Sequence, residues 1–136
     1  MRKTWSEDTL AHAIDEAFQE VFTLAQEMEE AFDGTPESLK QSSMGQSREA
    51  AATELETAWD TPSVPDALRE NRIMWMEMSG KLFRPARRNN VVSCLQSCIA
   101  HLSSLVDDYD VKKLKESLQN SVDILSKVHF PGMSGR

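Results

Sequence analysis

Only two cysteines occur in the 136 residues, too few for the disulfide framework of a small secreted domain, so a reducing, cytoplasmic setting is expected. The five glycines form neither a G-x-G-x-x-G run nor a phosphate loop, because Gly80-Lys81 is followed by Leu82 instead of Ser or Thr. G-x-S-x-G and H-E-x-x-H are also absent, and with them the usual marks of a hydrolase or zinc protease. No apolar run approaches the ~20 residues of a membrane helix. The opening Met1-Arg2-Lys3-Thr4-Trp5 soon meets acidic residues, which is not the pattern of a signal peptide. The expectation from these absences is a protein without a cofactor, without membrane contact and without enzymatic activity.

What is present is charge and helical periodicity. The chain is 40% hydrophobic and 27% charged, with a net charge of -7. Residues 1–80 hold 6 Lys/Arg against 17 Asp/Glu, whereas residues 81–136 hold 9 against 5. An acidic sector and a mildly basic one therefore share one chain, and they can attract each other within a subunit or between subunits.

Two segments carry the clearest apolar pattern. Leu10, Ile14, Ala17, Val21, Leu24, Met28 and Ala31 keep an unbroken 4-3 spacing. Ala11, Phe18, Ala25 and Phe32 fill the next stripe, Phe22 widens it, and Thr4 with Glu7 fits a capping box. This predicts a helix over 5–33 ended by Gly34. A second helix over 88–108 follows from Val91, Leu95, Cys98, Leu102, Leu105 and Tyr109, with Val92, Ile99 and Val106 beside them. Leu105 and Leu114 are out of phase, and Asp107-Asp108-Tyr109-Asp110 supplies an N-cap, so the chain is expected to break there and resume as a last helix over 111–128. Phe130 is read as pinning the tail to the core.

Between these lie weaker signals. Thr35-Pro36-Glu37 reads as a cap and first turn, and residues 46–59 as a helix with a thin face of Ala51, Leu55, Ala58 and Trp59. Residues 66–79, containing Ile73-Met74-Trp75-Met76, are assigned to helix, since no partner is evident for a strand. The architecture expected is an all-α bundle of four or five helices with two long heptad-patterned members, forming a single domain over 1–130 with a flexible tail over 131–136. The faces carrying Leu10, Ile14, Phe18, Val21, Phe22, Leu95, Ile99 and Leu102 are wider than one partner helix requires, so a homo-oligomer is expected.

Three groups of residues have functional readings. The basic connector 81–88 places Lys81, Arg84, Arg87 and Arg88 around Phe83. Positive charge at a helix start is unfavourable unless an anion or an acidic partner answers it. The answering group is either the chain's own acidic sector, a protein partner, or an anionic nucleotide or phosphorylated ligand. Duplex DNA is disfavoured by the overall charge. Met74, Trp75 and Met78 form a candidate apolar contact surface, and Met74, Met76 and Met78 also fit copper(I) thioether chemistry. Cys94, Cys98 and His101 share one helical face at i, i+4 and i+7. A soft metal is one reading and core packing the stronger one, because a closed site needs a fourth ligand. Glu-x-x-His is missing at all three histidines, which excludes a di-iron carboxylate site.

Ala13-Ile14-Asp15-Glu16-Ala17, Thr35-Pro36-Glu37-Ser38-Leu39, the Arg87-Arg88 helix start and Phe130-Pro131-Gly132-Met133 together resemble small acidic helical accessory proteins encoded by phages and prophages. The resemblance implies a mobile-element protein, including an inhibitor of host defence, and assigns no residue a role. The functional expectation is a helical interaction module that self-associates and binds a protein partner. An oligomeric sponge for an anionic nucleotide, and an acidic mimic of nucleic acid, are the alternatives.

Overall fold

A computed structural model describes residues 5–60, 62–76, 83–106 and 108–130. Thr4, Met78, Lys81 and the tail 131–136, which entered the expectations above, lie outside the described residues. The chain runs through strand β1 (Trp5–Thr9), helix α1 (Leu10–Asp33), a 3₁₀ turn (Glu37–Leu39), α2 (Ser43–Ala58), a single turn α3 (Asp66–Arg69), strand β2 (Arg72–Met76), α4 (Arg84–Ser103) and α5 (Tyr109–Ser126). The four long helices make an all-α bundle in which α1 packs on α2 and α4, and α5 packs on the same two neighbours. No helix among the described residues is long and apolar enough to cross a membrane.

That ring explains the broad face of α1. Its stripes bury Leu10, Ile14, Phe18 and Val21 against two neighbours of the same chain, and Leu95 and Leu102 of α4 are equally buried. Ile99 is partly buried against the same core, and half-buried Phe22 meets Trp59 with ring centroids 4.5 Å apart. Much of the face that led to an expected partner subunit is covered within the chain, on α1 by α2 and α4 and on α4 by α1 and α5, while Phe22 and Ile99 stay partly exposed.

The expected break between the last two helices is present. α4 ends at Ser103, and Asp108 caps α5 by accepting a hydrogen bond from the Val111 amide at 2.9 Å. Phe130 is buried, as is Val128. α2 starts three residues before the expected 46, because Ser42 accepts from the Gly45 amide at 3.3 Å and caps the helix. Thr35, expected as a cap, is buried instead. Its hydroxyl donates to Ala31 O at 2.9 Å and accepts from Arg48 Nη1 at 2.8 Å.

Two expectations are corrected together. The helix expected over 66–79 is the single turn α3 followed by strand β2, and the first helix begins at Leu10, not at residue 5. Residues 5–9 are strand β1, antiparallel to β2, with Trp5 opposite Met76 and Thr9 opposite Arg72. The physical reason is a period-two pattern: Ile73 and Trp75 are buried while Met74 is 53% exposed, the alternation of a half-covered strand. Thr9, not Thr4, is the N-cap of α1, accepting from the His12 amide at 3.2 Å.

Candidate functional site: the arginine connector and the acidic helical face

The start of α4 is built from Arg84 at the first helical position, Pro85, Arg87 and Arg88, with Phe83 as a cap residue that offers no side-chain hydrogen bond. Cations here oppose the positive end of the helix dipole. Two glutamates of α1, seven residues apart on one stripe, answer them. Arg84 Nε donates to Glu27 Oε1 at 2.8 Å. Arg87 donates from Nη1 to Glu27 Oε1 at 2.9 Å and from Nη2 to Glu27 Oε2 at 2.9 Å and Glu20 Oε1 at 2.8 Å. The Arg87 side chain is 6% exposed and that of Glu20 is 9% exposed, so this is an interior ion-pair network.

The electrostatics follow from that burial. Desolvation pushes the Arg87 pKa down, but the bonds and charges of Glu27 and Glu20 outweigh it and the net shift is upward. Desolvation likewise pushes the Glu27 carboxyl up, and the guanidiniums of Arg87 and Arg84 hold it below its ordinary value. Arg88 turns the other way. Its Nη1 donates to Leu125 O and Val128 O, both at 2.9 Å, and its guanidinium lies 5.6 Å from the centre of the Phe130 ring. It closes the carbonyl end of α5, where a cation is favoured, and its pKa is lowered by desolvation.

Of the three groups expected to answer the connector, the chain's own acidic sector is the one seen bonded to Arg84 and Arg87. Arg84, Arg87 and Arg88 commit donors to acceptors of the same chain, and Phe83 is left exposed. The glutamates that receive them were missed in the sequence. The available signal was an acidic pair at i, i+7 flanking an apolar seam, matched to arginines at i, i+3.

The other expected groups also disperse. Trp75 is 5% exposed and belongs to the core, so of the expected apolar surface the described residues leave only Met74 outside. Cys94 and Cys98 are buried free thiols, and Cys94 Sγ lies 3.6 Å from Ala13 O. The neighbouring Cys98 and burial both push the Cys94 thiol upward, which keeps it protonated and unreactive. His101 Nε2 lies 2.7 Å from Asn71 Oδ1. Among the described residues no three His, Cys, Asp or Glu side chains are grouped to hold a metal.

What remains outward is carboxylate. Asp15, Glu29, Glu30 and Asp33 of α1 and Glu49 and Glu56 of α2 are exposed. None of them is ion-paired to another described residue; the ion pairs between described residues hold Asp8, Glu16, Glu20, Glu27 and Glu37. Glu29 and Glu56 face each other closely enough for Glu56 to raise the Glu29 pKa, with Asp33 and Glu30 adding to it. At the end of α2 the 42% exposed Trp59 rests on Phe22. A hollow of about 630 Å³ lies between the 62–66 loop and the start of α5, lined by Pro62, Pro65, Asp66, Tyr109, Asp110 and Lys113 among others. Its one lysine beside two carboxylates gives it no dominant charge.

Comparison of the chain with protein-family models, with curated proteins and with solved structures finds no match.

Proposed function

We propose that the protein is a non-enzymatic interaction module whose acidic α1–α2 face docks on a cationic surface of a partner protein. One observation carries this reading: Arg84 and Arg87 are bonded to Glu20 and Glu27, while the exposed carboxylates of α1 and α2 have no ion-pair partner among the described residues. A field of one sign steers and orients an oppositely charged surface. Trp59, stacked on Phe22 beside Glu56, supplies an aromatic anchor of the kind that dominates interface energetics. A nucleic-acid-binding protein presents such a cationic surface, and the acidic face then stands in for phosphate. The resemblance to phage accessory proteins favours a host protein as that partner.

The test is capture of a stoichiometric partner by the purified chain, repeated with Glu29→Lys, Glu30→Lys and Asp33→Lys combined. Binding should vanish in the triple variant, weaken steeply as salt rises towards ~0.5 M, and be competed by duplex DNA. A partner held equally well by the triple variant and at high salt would overturn the reading.

A further inference from the structure

We propose that the β1–β2 ribbon is a pH-responsive latch, held closed by a doubly paired His12 imidazolium at the joint between β1 and α1. Asp8 and Thr9 end β1, and His12 lies in the first turn of α1. His12 Nδ1 is 2.6 Å from Asp8 Oδ2, and its Nε2 is 3.1 Å from Glu16 Oε1. A carboxylate only accepts, and a neutral imidazole carries a single N–H, so only the imidazolium satisfies both neighbours.

The groups around His12 act in the same direction. Asp8 Oδ1 accepts from the Thr9 amide at 2.7 Å, and Arg72 of β2 adds a positive charge that favours the ionised Asp8. Glu16 completes the pair from the next turn of α1, and the indole of Trp75 on β2 meets the His12 ring with centroids 6.5 Å apart. Glu16 is the main cause of a raised His12 pKa; burial opposes it and Asp8 reinforces it. Glu16 shares α1 with His12 and raises its pKa with the ribbon open or closed, so the part linked to closure is the Asp8 contact from β1. That part favours closure most at pH below the open-state value. That contribution is lost as pH rises through the closed-state value.

The closed ribbon also carries a standing cost. Trp75 Nε1 is buried and has no hydrogen-bond partner among the described residues, so ordering this strand leaves a donor desolvated and unmet. Beyond the ladder itself, the joint is tied by the Leu10 amide, which donates to Asn71 O at 2.6 Å. Loss of the imidazolium loosens that joint and lets Trp75 out beside the already exposed Met74. Above the His12 pKa the ribbon therefore opens about threefold more often, the scale of an exposed ion pair, and in that open fraction Trp75 joins the already exposed Met74.

The experiment is NMR on the full chain between about pH 6 and pH 8.5, following the His12 ring and the exchange of the Leu10 amide and the Trp75 indole N–H. His12 should titrate above the ordinary ~6.5. Protection factors, corrected for intrinsic exchange, should fall about threefold across that titration, the scale of an exposed ion pair. In His12→Gln the protection should not change with pH. Asp8→Asn with Glu16→Gln, which keeps the imidazole but removes its partners, should return His12 to its ordinary range and also abolish the fall. A wild-type His12 titrating at or below the ordinary value would overturn the proposal. So would the same fall in either variant.

Discussion

Replacing Arg87 by methionine keeps much of the side chain's volume while removing its charge, and leaves Glu20 facing an apolar group and Glu27 with Arg84 as its remaining cation. Breaking a buried pair from one side costs ~3–5 kcal/mol because the partner charge stays behind. The lower end, ~3 kcal/mol, applies here because the Glu27 side chain is 30% exposed and retains some water. For a chain of this length that is a fall in Tm of about 10 °C, readable by circular dichroism and by urea unfolding at neutral pH. Adding Glu20→Gln and Glu27→Gln to Arg87→Met should restore more than half of the loss, since it removes the stranded charges. Because the folded Glu27 pKa is depressed, its stabilisation is present above the unfolded value and is lost as pH falls through the folded one. The deficit of Arg87→Met should therefore shrink from about pH 5 to pH 3. A loss below ~1 kcal/mol at neutral pH, or no recovery in the triple variant, would refute the account of a dry network.

Arg88→Ala should cost about 1.5 kcal/mol by leaving the Leu125 and Val128 carbonyls without their cation, and amide exchange in the last turn of α5 should show it first. Gly45→Ala should destabilise by ~1–3 kcal/mol despite the better helix propensity of alanine. The new Cβ would meet Leu39 O at 2.7 Å and the Lys40 carbonyl as well; urea unfolding measures the sign. Glu29→Gln should raise Tm at pH 7, because a carboxyl whose folded pKa is raised by Glu56 destabilises the folded state once ionised. That gain should disappear below the ordinary glutamate range, near pH 4.

Much of the bundle was legible because apolar periodicity is a local signal. The stripes of α1, α4 and α5 and the break before Tyr109 all follow from spacing and an aspartate cap. The ribbon was hidden for the opposite reason. Its two strands lie more than sixty residues apart, and Trp5–Thr9 runs straight into the heptads of α1, so the helical pattern absorbed it. The connector shows a second kind of blindness. Four cations within eight residues look like a binding site, but whether Arg87 is available depends on Glu20 and Glu27, whose facing is a property of the packed bundle. Trp75 was misjudged as a surface anchor because its burial follows from strand alternation, not from hydrophobicity alone.

The ribbon also sets an order in time. The α1–α2 hairpin joins neighbours across a short connection, whereas pairing Thr9 with Arg72 or Trp5 with Met76 closes a loop of most of the first half of the chain. Loop closure is an entropic barrier met before any contact repays it, so local helical contacts form early and the ribbon late. Folding kinetics should show this as φ-values near zero for substitutions at Ile73, with higher values for Leu55 at the α1–α2 contact. A contact that forms after the barrier is lost before it on the way out, so substitutions at Ile73 should speed unfolding and leave the folding rate nearly unchanged.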